Sequence, residues 1–260
     1  MKTPISPHNP FGHTRHGFAW EQVQPGNRHL DYGCFEGKTL RAFRDKGVTE
    51  LIGVDASGDA IEAGRGKHPD LDMRHIDPAK PLPFGDGDFD SVSLLDVLEH
   101  VQDQRQLLDE LNRVLAPGGR LIVTVPRLHI FSVLDVGNLK FRFPRLHRWF
   151  FCMRHSREAY EYRYVNNPDG LIGDISAEKA WHEHFSPAKL QRLLEASGFQ
   201  VELFDGSGLF TRVIFLARNT IGLIPPIGSA LDAITRIDNR WFKSMNLFCV
   251  ARKESEPPRR

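Results

Sequence analysis

The sequence predicts an α/β fold: a doubly wound, mostly parallel sheet of seven strands, with helices on both faces and two cap insertions. From residue 29 onward, short apolar segments that suit buried strands alternate with amphipathic segments of helical period, as in a parallel sheet with crossover helices. The chain has 260 residues, of which 40% are hydrophobic and 26% are charged. It is therefore long and apolar enough to bury a core.

The first five strands and their helices follow one another in regular order. Strands are predicted at 29–32, 51–54, 73–76, 90–95 and 120–125, with helices at 38–46 and 60–66. A third helix places Leu107, Leu108 and Leu111 at helical spacing, and Pro117-Gly118-Gly119 is expected to end it.

Two insertions interrupt the second half of the chain. The alternation lapses after Pro126, returns with a helix that begins at Ser186-Pro187 and a strand at 200–204, lapses again, and ends with a strand at 246–251. The predicted organisation is an irregular lead-in (1–22), a core (23–126), a cap insertion (127–181), continued core (182–207), an apolar helical insertion (208–243), the last core strand (244–253) and a mobile tail (254–260).

Charge and cysteine content disfavour several classes of protein. Lys and Arg total 34 against 33 for Asp and Glu, which gives no overall electrostatic reason to expect a nucleic-acid partner. Cys34, Cys152 and Cys249 lie far apart, so neither a disulfide framework nor a metal site is expected. The first residues lack the apolar core of a secretion signal and no apolar stretch suits a spanning helix, so we expect a soluble, cytoplasmic protein.

Glycines and acids mark the ends of the predicted strands. Gly33 and Gly37 follow the first strand, and acids stand at the ends of the first four strands: Asp31, Asp55, Asp77 and Asp96. The carboxyl ends of parallel strands are where such sheets bind ligands. A dinucleotide site would need G-x-G-x-x-G, but Phe35 and Lys38 replace the second and third glycines. Four acids favour a cationic ligand instead.

These segments resemble the motifs of the class I S-adenosylmethionine-dependent methyltransferases. In order they read LDYGCFEG, IGVDAS, IDPAKPLPFGDGDFDSV, LLDVLEHV and LNRVLAPGGRLIVTVP, followed by HFSPAKLQRLLEASGF and the terminal LFCVARK. The resemblance covers about residues 29–126 and 182–206 plus the last strand. It implies a Rossmann-like fold and S-adenosyl-L-methionine as the cofactor.

The resemblance also implies roles for single residues. Gly33 and Gly37, with Cys34 between them, would form the turn beneath the methionine part of the cofactor, and Asp31 would orient that turn and the cofactor's amino group. The other implied contacts are Asp55 to the ribose hydroxyls, Ala56 to the adenine, Asp77 to its exocyclic amine, and Asp96 at the border of the pocket. The sequence departs from the family at Phe35, where glycine is usual.

Histidines and arginines are the candidates for work on the methyl acceptor. His100 lies just past the fourth strand and His184 opens the segment that returns to the core; each is a candidate general base or a structural residue. Arg142, Arg145 and Arg148 interleave with aromatic residues in the first insertion. They would bind a negative group on an apolar or ring-shaped acceptor, or lie on the solvated side of an amphipathic helix.

The function expected from these features is methyl transfer to a small-molecule, glycan-linked or lipid-linked acceptor, at oxygen. A non-catalytic scaffold or regulatory partner with the same fold is the alternative, and Phe35 is the feature that favours it. The second insertion is a candidate for covering a hydrophobic acceptor, for peripheral membrane contact or for dimerisation.

Overall fold

The computed structural model describes residues 6, 8–12, 14–128, 143–153, 155–166, 183–208, 210, 214, 217, 225–241 and 246–254. The helices are α1 (Arg15–Gln22), α2 (Lys38–Asp45), α3 (Gly58–Lys67), α4 (Gln104–Val114), α5 (Pro144–Cys152), α6 (Arg157–Tyr160), α7 (Pro187–Ala196) and α8 (Pro225–Trp241). The strands are β1 (Arg28–Tyr32), β2 (Glu50–Asp55), β3 (Asp72–His75), β4 (Phe89–Leu95), β5 (Leu115–Pro126), β6 (Phe199–Gly206) and β7 (Asn246–Lys253). A 3₁₀ turn (Leu98–His100) follows β4, and a π-helical turn (Glu161–Asn166) follows α6.

The seven strands form one sheet in the order β3-β2-β1-β4-β5-β7-β6. Strands β1 to β5 pair in parallel, whereas β7 pairs antiparallel with both β5 and β6. This confirms the predicted mostly parallel α/β sheet. Because the order reverses between β1 and β4, their carboxyl ends diverge into loops on opposite sides and leave a crevice between them.

Helices cover both faces of the sheet, as predicted. On one face α1, α2 and α3 contribute Phe18, Leu40 and Ile61 to a buried apolar cluster. On the other face α4 and α7 contribute Leu108 and Leu190 to a second cluster. Strands buried on both sides in this way need apolar residues at successive positions, which is why the strand segments are conspicuous in the sequence.

The prediction of an irregular lead-in is wrong for residues 15–22, which form α1. The Thr14 side chain caps this helix by accepting a hydrogen bond from the Gly17 N–H at 3.2 Å. Phe18 and Ala19 are buried, and the Phe18 ring stacks on Phe248 of β7 with centroids 5.1 Å apart. Tertiary packing on the sheet therefore stabilises a helix whose short sequence has little periodicity.

A second correction concerns residues 117–119, which do not end a helix. Helix α4 ends at Val114 and β5 begins at Leu115, so the proline-glycine segment lies inside the strand. Its pairing with β4 shifts register between Phe89 and Ser91. The extra residues are therefore accommodated as an irregular start of the strand.

The insertions are described in part. The first contains α5, α6 and the π-helical turn, and the second contains α8, which agrees with its predicted helical character. Residues 129–142, 167–182 and 255–260 lie outside the described residues, so the predicted mobile tail does too. Within the ranges given above, none of the helices has the length and apolarity required to cross a bilayer.

Candidate active site

A cleft of about 1700 Å³ opens at the carboxyl edge of the parallel strands. It is continuous from the end of β2, past the turn after β1, to the 3₁₀ turn after β4. Six of the predicted cofactor residues line it: Asp31, Gly33, Cys34, Asp55, Ala56 and Asp96. Tertiary structure thus brings together residues that stand more than sixty positions apart in the sequence.

The turn after β1 depends on its two glycines. Gly33 and Gly37 have φ values of +85° and +81°, a region that side chains rarely adopt. A Cβ atom on Gly33 would collide with the Val97 side chain, and one on Gly37 would lie 2.8 Å from Met73 Sδ. A side chain at either position would therefore strain the backbone and displace a neighbouring side chain.

Asp55 connects the loops after β1 and β2. Its side chain is buried, and its two oxygens accept hydrogen bonds from the Phe35 N–H at 2.7 Å and the Ser57 N–H at 2.9 Å. A carboxylate offers about four lone-pair sites, so this one can accept further donors from the cleft. Ala56 follows it, and the Ala56 carbonyl contacts His75 Nε2 at 3.1 Å.

Asp31 ends a chain of buried polar groups beneath the cleft. Ser93 Oγ donates to Asp31 Oδ1 at 2.5 Å, and His29 contacts Ser93 Oγ through Nε2 at 2.9 Å and Ser91 Oγ through Nδ1 at 2.8 Å. Burial lowers the pKa of His29 to about 3, so the ring is neutral. With Ser93 donating to Asp31, the matching tautomer has Nε2–H donating to Ser93 and Nδ1 accepting from Ser91.

Burial also changes the pKa of two groups near the cleft, Asp31 at the end of β1 and Cys34 in the turn after it. It raises the pKa of Asp31 to about 6, an effect that the Ser93 hydrogen bond opposes and the negative charge of Asp55 reinforces. It also raises the pKa of the Cys34 thiol, which is thereby kept protonated and unreactive. Cys34 therefore contributes its position in the turn, with its N–H donating to the Val54 carbonyl at 3.0 Å.

Asp96 lies at the opposite wall of the cleft. Its backbone has φ +55°, and its carboxylate accepts from Thr124 Oγ1 at 2.7 Å and pairs with Arg15 of α1. Arg15 and His16 also line the cleft, and Thr39 Oγ1 contacts His16 Nδ1 at 2.7 Å. Neither residue was predicted to belong to the site, because residues 1–22 were expected to be irregular; Thr14, a typical N-cap residue, is the signal in the sequence that indicates the helix.

Asp77 is placed differently from the other acids. Its carboxylate is exposed, accepts from the Ala79 N–H at 3.0 Å and pairs with Lys80 at 3.1 Å. These contacts hold the pKa of Asp77 below its usual value. Its neighbours Ile76 and Pro78 line the cleft, while Asp77 itself is not among the described residues that do. Its contact with an adenine amine stays a prediction.

The two candidate bases, His100 and His184, differ in their position relative to the cleft. His100 lines the cleft and is half-buried, with Nε2 at 4.0 Å from Glu99 Oε1. His184 is half-buried next to Phe185, whose backbone bonds Pro126 and Leu128 at the end of β5. Among the described residues that line the cleft, His100 is present and His184 is not.

The candidate acceptor arginines do not converge on the cleft. Arg145 and Arg148 are exposed on α5, where Arg148 lies over the Tyr160 ring at 5.4 Å and 3.8 Å from Glu161. Neither is among the described cleft residues, and Arg142 lies outside the described residues. Acceptor binding by these arginines stays a prediction.

Phe35 adopts a backbone conformation suited to glycine. Its φ is +50°, which explains the glycine usual at this position in the resembling family. Phe35 lines the cleft and is 52% exposed, so its side chain is not buried in the predicted site.

We expect Phe35→Gly to bind S-adenosylmethionine as tightly as the wild type or more tightly. Relief of left-handed strain, about 1 kcal/mol, offsets the larger unfolded-state entropy of glycine, so stability should change by less than about 1 kcal/mol. Titration calorimetry and thermal denaturation measure the two effects, with Phe35→Ala as the control that removes the ring but keeps the strain. A cofactor affinity more than tenfold weaker in both variants would show that the ring itself binds the cofactor.

The described residues fit a compact cationic ligand. The glycine turn lines the cleft through Gly33, and the buried carboxylates of Asp31 and Asp55 lie beside it, whereas the charge of Asp96 is paired with Arg15. A sheet of this order with such a turn after β1 defines the class of Rossmann-like domains that bind S-adenosylmethionine and transfer its methyl group. A family model described as "Methyltransferase domain" matches residues 14–203. The chain belongs to this family of S-adenosylmethionine-dependent methyltransferases.

Individual relatives agree with this assignment. The chain is 31% identical over 195 residues to a demethylmenaquinone methyltransferase of Staphylococcus saprophyticus, covering 71% of this chain and 76% of the relative. It is 36% identical over 247 residues to an uncharacterized 37.1 kDa protein in transposon TN4556 of Streptomyces fradiae, covering 88% of this chain and 63% of that protein. The chain spans only about two fifths of some other demethylmenaquinone methyltransferases that it matches, 41% and 39% of their lengths.

A solved structure shows the same fold at low sequence identity. The S-adenosylmethionine-dependent methyltransferase from Mesorhizobium loti matches with a TM-score of 0.56 and 16% identity, over 93% of this chain and 99% of that one.

Proposed function

We propose that the protein transfers the methyl group of S-adenosylmethionine to a small-molecule acceptor bound in the far part of the cleft. The observation behind this proposal is the continuity of the cleft from the acids at the ends of β1 and β2 to His100. A scaffold without catalytic activity would not need a connection between the cofactor end and the acceptor end of the cleft.

In this proposal one end of the cleft binds the cofactor and the other end binds the acceptor. Asp55 and Asp31 bind the ribose hydroxyls and the amino group, and the turn at Gly33 admits the backbone close to the methionine part. When bound, S-adenosylmethionine supplies a methyl group activated by a positively charged sulfur. Since methyl transfer is an in-line displacement, holding the acceptor in line provides most of the acceleration.

His100 is the candidate base on the acceptor side. Its ring takes up the proton of a hydroxyl on the reduced, quinol form of the acceptor as the new bond forms at oxygen and S-adenosylhomocysteine leaves. Val97, Val101 and Pro126 line the same part of the cleft and suit a flat apolar ring. The similarity to demethylmenaquinone methyltransferases supports an acceptor of the demethylmenaquinone type, so we choose this class over a glycan.

The test is formation of S-adenosylhomocysteine with chemically reduced demethylmenaquinone (the quinol) as the acceptor, followed by NMR of the product made from methyl-labelled cofactor to identify the methylated atom. We expect His100→Gln to lower kcat by about 10²–10⁴-fold with cofactor affinity unchanged. His184→Gln is the matched control, expected to keep most of the activity. Equal losses in both variants would remove His100 as the base.

The scaffold alternative has a separate outcome in the same experiment. Tight cofactor binding without turnover of demethylmenaquinone or of any component of a metabolite extract would favour a non-catalytic role. Failure to bind S-adenosylmethionine at millimolar concentration would contradict the proposed function altogether.

A further inference from the structure

Helix α5 in the first insertion exposes its most apolar stripe. Leu146, Trp149, Phe150 and Met153 recur at helical spacing on one side of α5 and the residue after it, and they are between 51% and 64% exposed. Phe143, directly before the helix, is 56% exposed. Contiguous exposed side chains of this size mark a contact surface, because a helix on a globular protein ordinarily turns such a stripe inward.

The opposite side of α5 is the one that packs. His147 Nδ1 lies 3.2 Å from the Tyr160 hydroxyl, and the Phe151 ring is 5.6 Å from the Tyr160 ring. Tyr160 is 1% exposed. Helix α5 is therefore anchored to α6 through its less apolar side, which directs the apolar stripe outward.

The sequence around the stripe carries an excess of positive charge. Residues 139–164 contain seven Lys or Arg against two Glu, in a chain whose net charge is only +1. Arg145 is exposed and adjacent to Trp149 on the helix surface, whereas Arg148 lies on the packed side over the Tyr160 ring. Arginines beside exposed Trp, Phe and Leu side chains are typical of helices that lie in the headgroup region of an anionic bilayer.

The position of the insertion relates this surface to the cleft. The Tyr162 hydroxyl, in the turn after α6, lies 3.5 Å from Asp59 Oδ2 in the first turn of α3. The first turn of α3 follows Ala56, which lines the cleft at the carboxyl edge of the sheet. The insertion therefore lies beside the mouth of the cleft.

We propose that the outward stripe of α5 (Leu146, Trp149, Phe150 and Met153, with Arg145) docks the protein on an anionic lipid surface. The docking does not rest on the proposed function. If both hold, docking shortens the path of a membrane-borne acceptor to the cleft.

The test is co-sedimentation of the full chain with phosphatidylcholine vesicles, with and without one third phosphatidylglycerol. We expect partition onto the anionic vesicles that weakens as salt is raised, and little onto the neutral ones. Trp149→Ser combined with Phe150→Ser should weaken partition at least about tenfold, because two large apolar side chains no longer insert. Arg145→Gln should weaken it, whereas Arg192→Gln, an exposed arginine on α7, should not.

The fluorescence of Trp149 reports directly on contact between the α5 stripe and the vesicle surface. The difference spectrum between wild type and Trp149→Phe should shift to the blue on anionic vesicles, since the indole enters the interface. Calorimetry with S-adenosylmethionine checks that every variant retains its folded cofactor site.

Three results would overturn the proposal. One is equal partition of the wild type and of the Trp149→Ser, Phe150→Ser double variant. Another is loss of binding with Ile237→Ser, an exposed position on α8, but not with the α5 substitutions, which would assign the contact to the second insertion. The third is self-association of the wild type in solution that the α5 substitutions abolish, which would assign the stripe to a second copy of the chain.

Discussion

Replacing Asp55 with alanine should weaken the binding of S-adenosylmethionine by about 1.5–3 kcal/mol, the usual scale for a hydrogen bond to a charged group. This corresponds to about 10–150-fold in Kd. From sequence alone we expect the Asp55→Ala protein to keep its fold, because an acid at a strand end is not part of a core. The structure changes this expectation: Asp55 is 3% exposed, and its carboxylate accepts from Phe35 and Ser57.

Asp55→Ala should therefore also lower the free energy of unfolding by about 1–3 kcal/mol, since two backbone donors lose their partner. Calorimetry gives the affinity and thermal denaturation gives the stability. Asp70→Ala is the control, because Asp70 is an exposed acid paired with Arg41 whose loss should change stability by about 0.5 kcal/mol or less. A folded Asp55→Ala protein with wild-type cofactor affinity would show that the ribose is held by other residues.

The affinity of the wild type for S-adenosylmethionine should fall as the pH drops through about 6. Burial raises the pKa of Asp31 to about 6, and only its ionised form attracts the amino group of the cofactor. Below that pH, binding must first remove a proton, and affinity then decreases by up to tenfold per pH unit. Asp31→Asn should bind more weakly at pH 7.5 and lose this pH dependence.

Ser93→Ala provides a matched variant for the same acid. Ser93 donates to Asp31 and thereby favours the ionised carboxylate, so its removal should raise the pKa of Asp31 and move the affinity midpoint to higher pH. Isothermal titrations between pH 5 and pH 8 measure both effects. An Asp31→Asn protein with the same pH profile as the wild type would contradict the assignment to Asp31.

The free energy of unfolding should depend on pH in the opposite direction to the cofactor affinity: the contribution of Asp31 to stability should fall as the pH rises. Because the folded-state pKa of Asp31 lies above its unfolded value of 3.8, the folded protein binds a proton more readily than the unfolded chain between about pH 4 and pH 6. Stability from this group is present below that window and is lost as the pH rises through it. Asp31→Asn should consequently raise the melting temperature at pH 8, where the buried charge destabilises the wild type, and raise it less near pH 4.

The sequence by itself determined the sheet and placed several of the acids that line the cleft at the ends of its strands. The strands β1 to β5 are buried on both faces, so their apolar residues stand out as short runs, and the order of strands and helices leaves few topologies for a parallel sheet. The last residue of each apolar run marks the end of a strand. Asp31, Asp55 and Asp96 were therefore predicted at one edge before any contact was known, because the carboxyl ends of parallel strands lie together.

Tertiary structure alone decided the features that depend on contacts between distant segments. Arg15 reaches Asp96 only because α1 packs on the sheet through Phe18, and no local pattern around Arg15 reports that packing. His100 lines the cleft and His184 does not, although the two looked equivalent as isolated histidines. The apolar residues of α5 resembled a buried face in the sequence, and it is the anchoring of the other side on Tyr160 that leaves them exposed. Periodicity reports which residues share a face of a helix, but which face is covered depends on the partner that packs against it.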